Sequence, residues 1–240
     1  RVGCTVTMFY ALASAGRIDE CAQHLPALQA ALEGDGQIAM RQVAAQAMAD
    51  ASMGPDQMAE AVDSYVRLSA QMGEIQIARS WMMRGRVMLF ASDPPDLDGG
   101  IEAQRRAIEL ATEVDAAEVA TWAKVLLAYA LSTGGYDGAR EAVRSALASS
   151  FDVRYAMAVG TAVETCARHL ASAGDTEGAA VLLGHLELDA APWSTGADFR
   201  AELASAVSGT DHLEGVKAMG AAMDRRAAVE YALERLDTVN

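Results

Sequence analysis

The 240-residue sequence predicts an all-α protein, a right-handed α-solenoid of about five helical hairpins of roughly 40 residues closed by C-terminal capping helices. Three observations predict it. Hydrophobic residues make up 52% of the chain but aromatics only 5%, with Ala, Leu, Met and Glu dominant, a composition that favours helix over strand. The five prolines fall mostly between periodic segments. A turn signature also returns at nearly constant spacing, which an unrepeated globular domain has no reason to show.

The repeat is visible in five stretches: AGRIDECAQHLPAL from Ala15, MGPDQMAEAVDSYV from Met53, PPDLDGGIEAQRRA from Pro94, GGYDGAREAVRSA from Gly134 and AGDTEGAAVLLGHL from Ala173. Their turn anchors, Gly16, Gly54, Pro95, Gly134 and Gly174, are separated by 38, 41, 39 and 40 residues. Five positions after each anchor stands a small residue (Cys21, Ala59, Gly100, Ala139, Ala179), as close helix crossing requires. Twelve positions after it stands an apolar one (Leu28, Val66, Ala107, Ala146, Leu186), so one face of each second helix is prepared for burial.

A first helix precedes each turn: MFYALASA, IAMRQVAAQAMADA, ARSWMMRGRVMLFA, VATWAKVLLAYAL and YAMAVGTAVETCARHLASA. The repeats therefore occupy residues 1–188, with a linker and capping helices over 189–240, in one continuous solenoid domain. The final helix, offering Arg225, Arg226, Glu230, Glu234 and Arg235 to solvent, reads as a polar cap. At the other end TVTMFYAL is expected to leave an apolar face open, which predicts a homodimer through the exposed N-terminal helix.

Helix–turn–helix units of this period resemble tetratricopeptide repeats, and their extended length is similar to the C-terminal sensor arms of MalT-like regulators among the STAND ATPases. A second resemblance lies in MGAAMDRRAAVEYALERL, Met219 to Leu236, which is similar to the closing motif of LuxR- and AfsR-type bacterial transcriptional regulators. Gly220, Ala221, Ala222, Glu230, Tyr231, Ala232 and Leu233 carry it, supported upstream by AAVLLGHLE, Ala179 to Glu187. The resemblance implies a non-catalytic sensor and protein-interaction module of a larger transcriptional regulator. It further implies that this chain is a part of that regulator, with a nucleotide-binding domain before it and a helix-turn-helix domain elsewhere. The alternative is a freestanding scaffold for protein–protein assembly.

Other classes find less support. Nineteen basic against 33 acidic side chains give a net charge of −14, which repels a phosphate backbone, so direct nucleic-acid binding is not expected. No apolar run is long enough to span a bilayer, and three cysteines at 4, 21 and 166 make no disulfide framework, so a soluble, cytoplasmic protein is expected. The chain contains no phosphate-binding G-x-x-x-x-G-K-[ST] loop, G-x-S-x-G elbow or H-E-x-x-H pair. No enzymatic activity, cofactor or metal is expected. Cys21 with His24 and Cys166 with His169 each set a thiol and an imidazole one turn apart, but without further ligands they read as packed cysteines beside solvent-facing histidines.

Eight of the twelve methionines lie between Met40 and Met88, which suits either an adaptable pocket or gap-filling in an alanine-rich core. In a hairpin solenoid the first helices line the concave wall. Polar residues offset from their packing faces are Gln42, Gln76, Arg79, Arg86, Thr121, Lys124, Thr161, Glu164 and Arg168. Four are basic and one acidic, against the sign of the whole chain. This pattern predicts a groove for a protein or acidic peptide, or for a small anionic effector; ordinary exposed charges are the alternative.

Overall fold

In a computed structural model of the chain, the residues described are 2–14, 20, 22–34, 37–50, 55–153, 156–188, 201, 204–205 and 211–239. Among them the only regular elements are helices. They are α1 (Val2–Ser14), α2 (Leu25–Glu33, preceded by a 3-10 turn at Ala22–His24), α3 (Ile38–Asp50), α4 (Pro55–Ser69), α5 (Glu74–Phe90) and α6 (Leu97–Glu113). After them come α7 (Ala117–Gly134), α8 (Ala139–Val153), α9 (Ala156–Ser172), α10 (Thr176–Leu188), α11 (Asp211–Ala221) and α12 (Arg225–Thr238). The expected first helices are α1, α3, α5, α7 and α9, and the expected second helices are α2, α4, α6, α8 and α10. Anchors Gly16 and Gly54 and the small residue Cys21 lie outside the described residues, as does the 189–200 linker.

Turn chemistry explains the breaks between helices. Gly135, Gly138 and Gly174 hold φ of 64°, 81° and 87°, the left-handed region where a Cβ is penalised. Asp96 caps α6 by accepting from the Gly99 N–H at 2.9 Å, and Asp175 caps α10 through the Gly178 N–H at 3.0 Å.

The chain forms two compact units, residues 1–123 and 124–240, with the division falling inside α7. In the first unit each helix from α2 to α6 packs on the next, and α1 packs on both α2 and α3. One face of α1 is covered within the chain, with Val6, Phe9 and Leu12 buried. Cys4, Thr7, Met8 and Ala11, which share the opposite side of α1, remain exposed.

The second unit is centred on α8, α9 and α10, whose Val143, Leu147, Val163, Leu170, Leu182 and Leu186 form a continuous core. The periodic positions behave as expected in both units. Leu28, Ala107, Ala146 and Leu186 are buried, and Val66 is half-buried. Gly100, Ala139 and Ala179 are buried where helices cross, while Ala59 is half-buried.

The two stretches that carry the C-terminal resemblance meet each other. Helix α10 packs on α11 so closely that a Cβ on Gly184 would overlap the Lys217 carbonyl, and one on Gly220 would overlap the Val181 carbonyl. Helix α12 then lies against α8, α9 and α10, burying Ala228, Val229, Ala232 and Leu236. Its Arg226 pairs with Glu230 on the outside, whereas Arg235, expected to face solvent, is half-buried with 31% of its side chain exposed. One edge of its guanidinium engages Asp175, Nε donating to Oδ2 at 2.6 Å and Nη2 to Oδ1 at 2.7 Å.

Candidate functional site

The candidate residues of the first unit start on α3. Gln42 faces the adjoining helices and is 3% exposed, so its amide must find partners inside the packing. Its Nε2 donates to Ser69 Oγ on α4 at 2.9 Å and to Gln76 Oε1 on α5 at 3.2 Å. Tyr65 OH donates to the same Gln76 oxygen at 2.8 Å, and Ser69 Oγ donates back to the Tyr65 carbonyl at 2.8 Å. Three helices are thus joined by one polar cluster. Gln42 and Gln76 meet as mutual partners.

One turn along α5, Arg79 retains 22% of its side-chain exposure and stands 3.8 Å from Glu118 at the start of α7. Arg86, two turns further, is half-buried on the same face, since seven residues return a helix almost to its starting azimuth. Thr121 is buried.

In the second unit Lys124 Nζ donates to Ser149 Oγ on α8 at 2.8 Å and remains half-buried. The Arg168 guanidinium stacks over the Tyr129 ring, 5.2 Å from its centroid, joining α9 to α7 by a cation–π contact. Thr161 and Glu164 are covered; Glu164 is only 1% exposed.

The nine residues therefore divide. Gln42, Thr121, Thr161 and Glu164 are buried among helices rather than displayed on a wall, whereas Gln76 and the four cations, Arg79, Arg86, Lys124 and Arg168, keep part of their surface. The charges that each unit leaves partly open at these positions are all positive.

The methionine cluster divides too. Met58, Met82 and Met83 fill the core of the first unit, but Met48 lines a cleft of about 450 Å³ with Leu25, Pro26, Leu32 and Gln57, between α2, α3 and α4.

Of the two thiol–imidazole pairs, only Cys166 with His169 lies wholly among the described residues. Cys166 is fully covered, and burial, with a smaller contribution from the Asp175 charge, pushes its thiol far above the usual range, the opposite of what a nucleophile or metal ligand needs. Burial first, and then the Arg140 charge, lower the His169 imidazole. Among the described residues no three His, Cys, Asp or Glu side chains are grouped to hold a metal ion, and no helix is long and apolar enough to cross a membrane.

Gln104 and Asp175, which carry no role in the sequence pattern, and Arg235, expected to face solvent, prove central to packing. Gln104 is wholly buried on α6 and donates from Nε2 to the Met82 carbonyl at 3.0 Å, in space that exists because residue 85 is glycine. Asp175 and Arg235 form the bidentate pair already described. The only prior signal was the Asp-x-x-Gly cap at Asp175 to Gly178, since no local pattern announces a partner 60 residues away.

No family model, curated protein or solved structure matches the chain.

Proposed function

We propose that the chain is a cytoplasmic, non-catalytic sensor and interaction module of a larger transcriptional regulator. In this reading the helical pairs continue into a right-handed tetratricopeptide-like solenoid, and an acidic peptide or small anionic effector is taken up along its first helices. The carrying observation is the division just described: at the candidate positions the neutral and acidic side chains are mostly buried, and the cations keep solvent-facing surface on a chain of net charge −14. The Arg79–Glu118 pair, long and partly exposed, is of the kind that contributes little to stability, so an incoming carboxylate displaces Glu118 at small cost. The regulator reading also draws on the packing of AAVLLGHLE against MGAAMD, which makes the motif-bearing segments one structural element.

Two experiments test this. In fluorescence anisotropy with a labelled eight-residue polyglutamate peptide, Arg79→Glu and Arg168→Glu, singly and together, should weaken binding by roughly tenfold or more, as expected when a charge-assisted contact worth about 1.5–3 kcal/mol is reversed. Unchanged affinity in the double variant removes the groove. Sequencing the reading frame upstream of Arg1 tests the regulator: a nucleotide-binding domain in frame supports it, and a start codon directly before Arg1 replaces it with the scaffold.

A further inference from the structure

Helix α12 is attached to the second unit differently from the helices beneath it. Its fully buried side chains are Ala228, Val229, Ala232 and Leu236, two of them single methyl groups that bury little area, while Tyr231, Leu233 and Val239 pack against the core only partly buried. Beneath it Val143, Leu147, Val163, Leu170 and Leu183 pack with one another within α8, α9 and α10, and Val229, Ala232 and Leu236 of α12 extend that core at its edge.

Polar contacts make up the difference, and they gather in the last turn. Arg235 holds Asp175 with two hydrogen bonds, Arg144 on α8 reaches Asp237, and Arg140 Nη1 donates to the Val239 carbonyl at 2.9 Å. Asp175 has two tasks, since the oxygen that caps α10 at the Gly178 N–H also receives Arg235 Nη2. Residue 178 is glycine where the Arg235 stem crosses it; a Cβ there would stand 2.8 Å from Arg235 Cγ. Under the middle of the helix lies Cys166, with no exposure and its Sγ 3.9 Å from the Ala232 carbonyl.

We propose that α12 is a releasable cap, latched by Asp175 and Arg235, whose detachment leaves α8, α9 and α10 folded and uncovers the Cys166 thiol. Terminal elements with little apolar burial are the ones that open locally at a cost below global unfolding. The latch ties such an element to the turn that starts α10, so breaking this ion pair loosens the last turn of the cap, which the Arg144–Asp237 and Arg140–Val239 contacts alone then hold. This inference does not depend on the regulatory reading.

The test uses the full chain with Cys4→Ser and Cys21→Ser, which leaves Cys166 as the single thiol. Its reaction with the disulfide reagent DTNB is followed across low urea concentrations. A local opening gives a rate nearly independent of urea and faster than global unfolding allows. Asp175→Asn and Arg235→Gln should each raise that rate by about 10- to 100-fold, the range expected for a hydrogen bond to a charged group, with the far-UV circular dichroism kept. Arg235→Lys, which retains charge but not the two-pronged geometry, should fall between. Arg226→Gln on the outer face of α12 should leave the rate alone. A rate that follows urea with the full unfolding slope in all variants, or that ignores the latch substitutions, overturns the proposal. Should Asp175→Asn fail to fold through loss of its α10 cap, Arg235→Lys and Arg235→Gln decide the matter.

Discussion

The α5–α6 crossing in the first unit and the α10–α11 crossing in the second both rely on paired glycines, yet they use the space differently. At α5–α6 the room is taken by side chains: Gln104 occupies the position a Gly85 Cβ would need, and the Leu89 methyl sits where a Gly100 Cβ would go. At α10–α11 it is taken by backbone: carbonyls of Lys217 and Val181 stand against Gly184 and Gly220. A side chain can rotate away from an intruding methyl, whereas a helical carbonyl moves only if the helix does. The same residue type therefore marks a tolerant contact in one region and an unforgiving one in the other.

The largest effect should come from breaking the backbone contact. Gly184→Ala or Gly220→Ala must push α11 off α10, and we expect a loss of about 3 kcal/mol or more in urea denaturation, at the upper end of overpacking costs. Because either substitution separates the same two helices, the double variant should cost clearly less than the two losses combined. A loss below about 1 kcal/mol, or full additivity, would show that the helices already have room.

Gly85→Ala should cost less, about 1–3 kcal/mol, because it displaces Gln104 from the Met82 carbonyl and strands a buried amide. Adding Gln104→Ala removes both the clash and the stranded group, so the double variant should recover part of the loss. No recovery would mean that the α5 and α6 backbones, not the glutamine, set the limit. Tyr65→Phe, which deletes one donor to Gln76 without changing shape, should cost about 1 kcal/mol by the same measurement.

The smallest expected effect is one of pH in the second unit. Burial works to raise the Asp175 carboxyl, but the Arg235 hydrogen bonds, the Gly178 N–H and the Arg235 charge outweigh it and hold the group below its ordinary value. A depressed carboxylate adds stability above its unfolded-state pKa and loses it as pH falls through the native value. The stability gap between the natural chain and Asp175→Asn should therefore close on acidification below the ordinary carboxylate range. The other titratable groups near this carboxylate are Cys166 on α9, Glu177 on α10, and Tyr231 and Arg235 on α12. A gap that is constant down to the acid transition would refute the depressed carboxyl.

Much of the helical order was legible in advance because burial on a helix repeats every three to four residues, and a turn must interrupt it before the next helix can pack. That is why Gly100, Ala107, Ala139, Ala146, Ala179 and Leu186 could be placed on inward faces from spacing alone. The candidate site was legible only in part. Offsetting residues from the packing face located Arg79, Arg86, Lys124 and Arg168 at partly open positions, but it also selected Gln42 and Glu164, which neighbouring helices cover. Periodicity gives the azimuth of a side chain on its own helix and says nothing of how far the adjacent helix reaches around it.

The sequence by itself determined the helical class and many of the inward faces, because these follow from local propensity and from a pattern written within one turn of chain. Tertiary structure alone decided which faces meet. It turned Val6, Phe9 and Leu12 of α1 onto neighbouring helices, brought Gly184 against α11 and seated Arg235 on Asp175. Such contacts join residues far apart in the chain, and their partners are fixed by shape and charge complementarity after the helices have formed, information that no local window of residues contains.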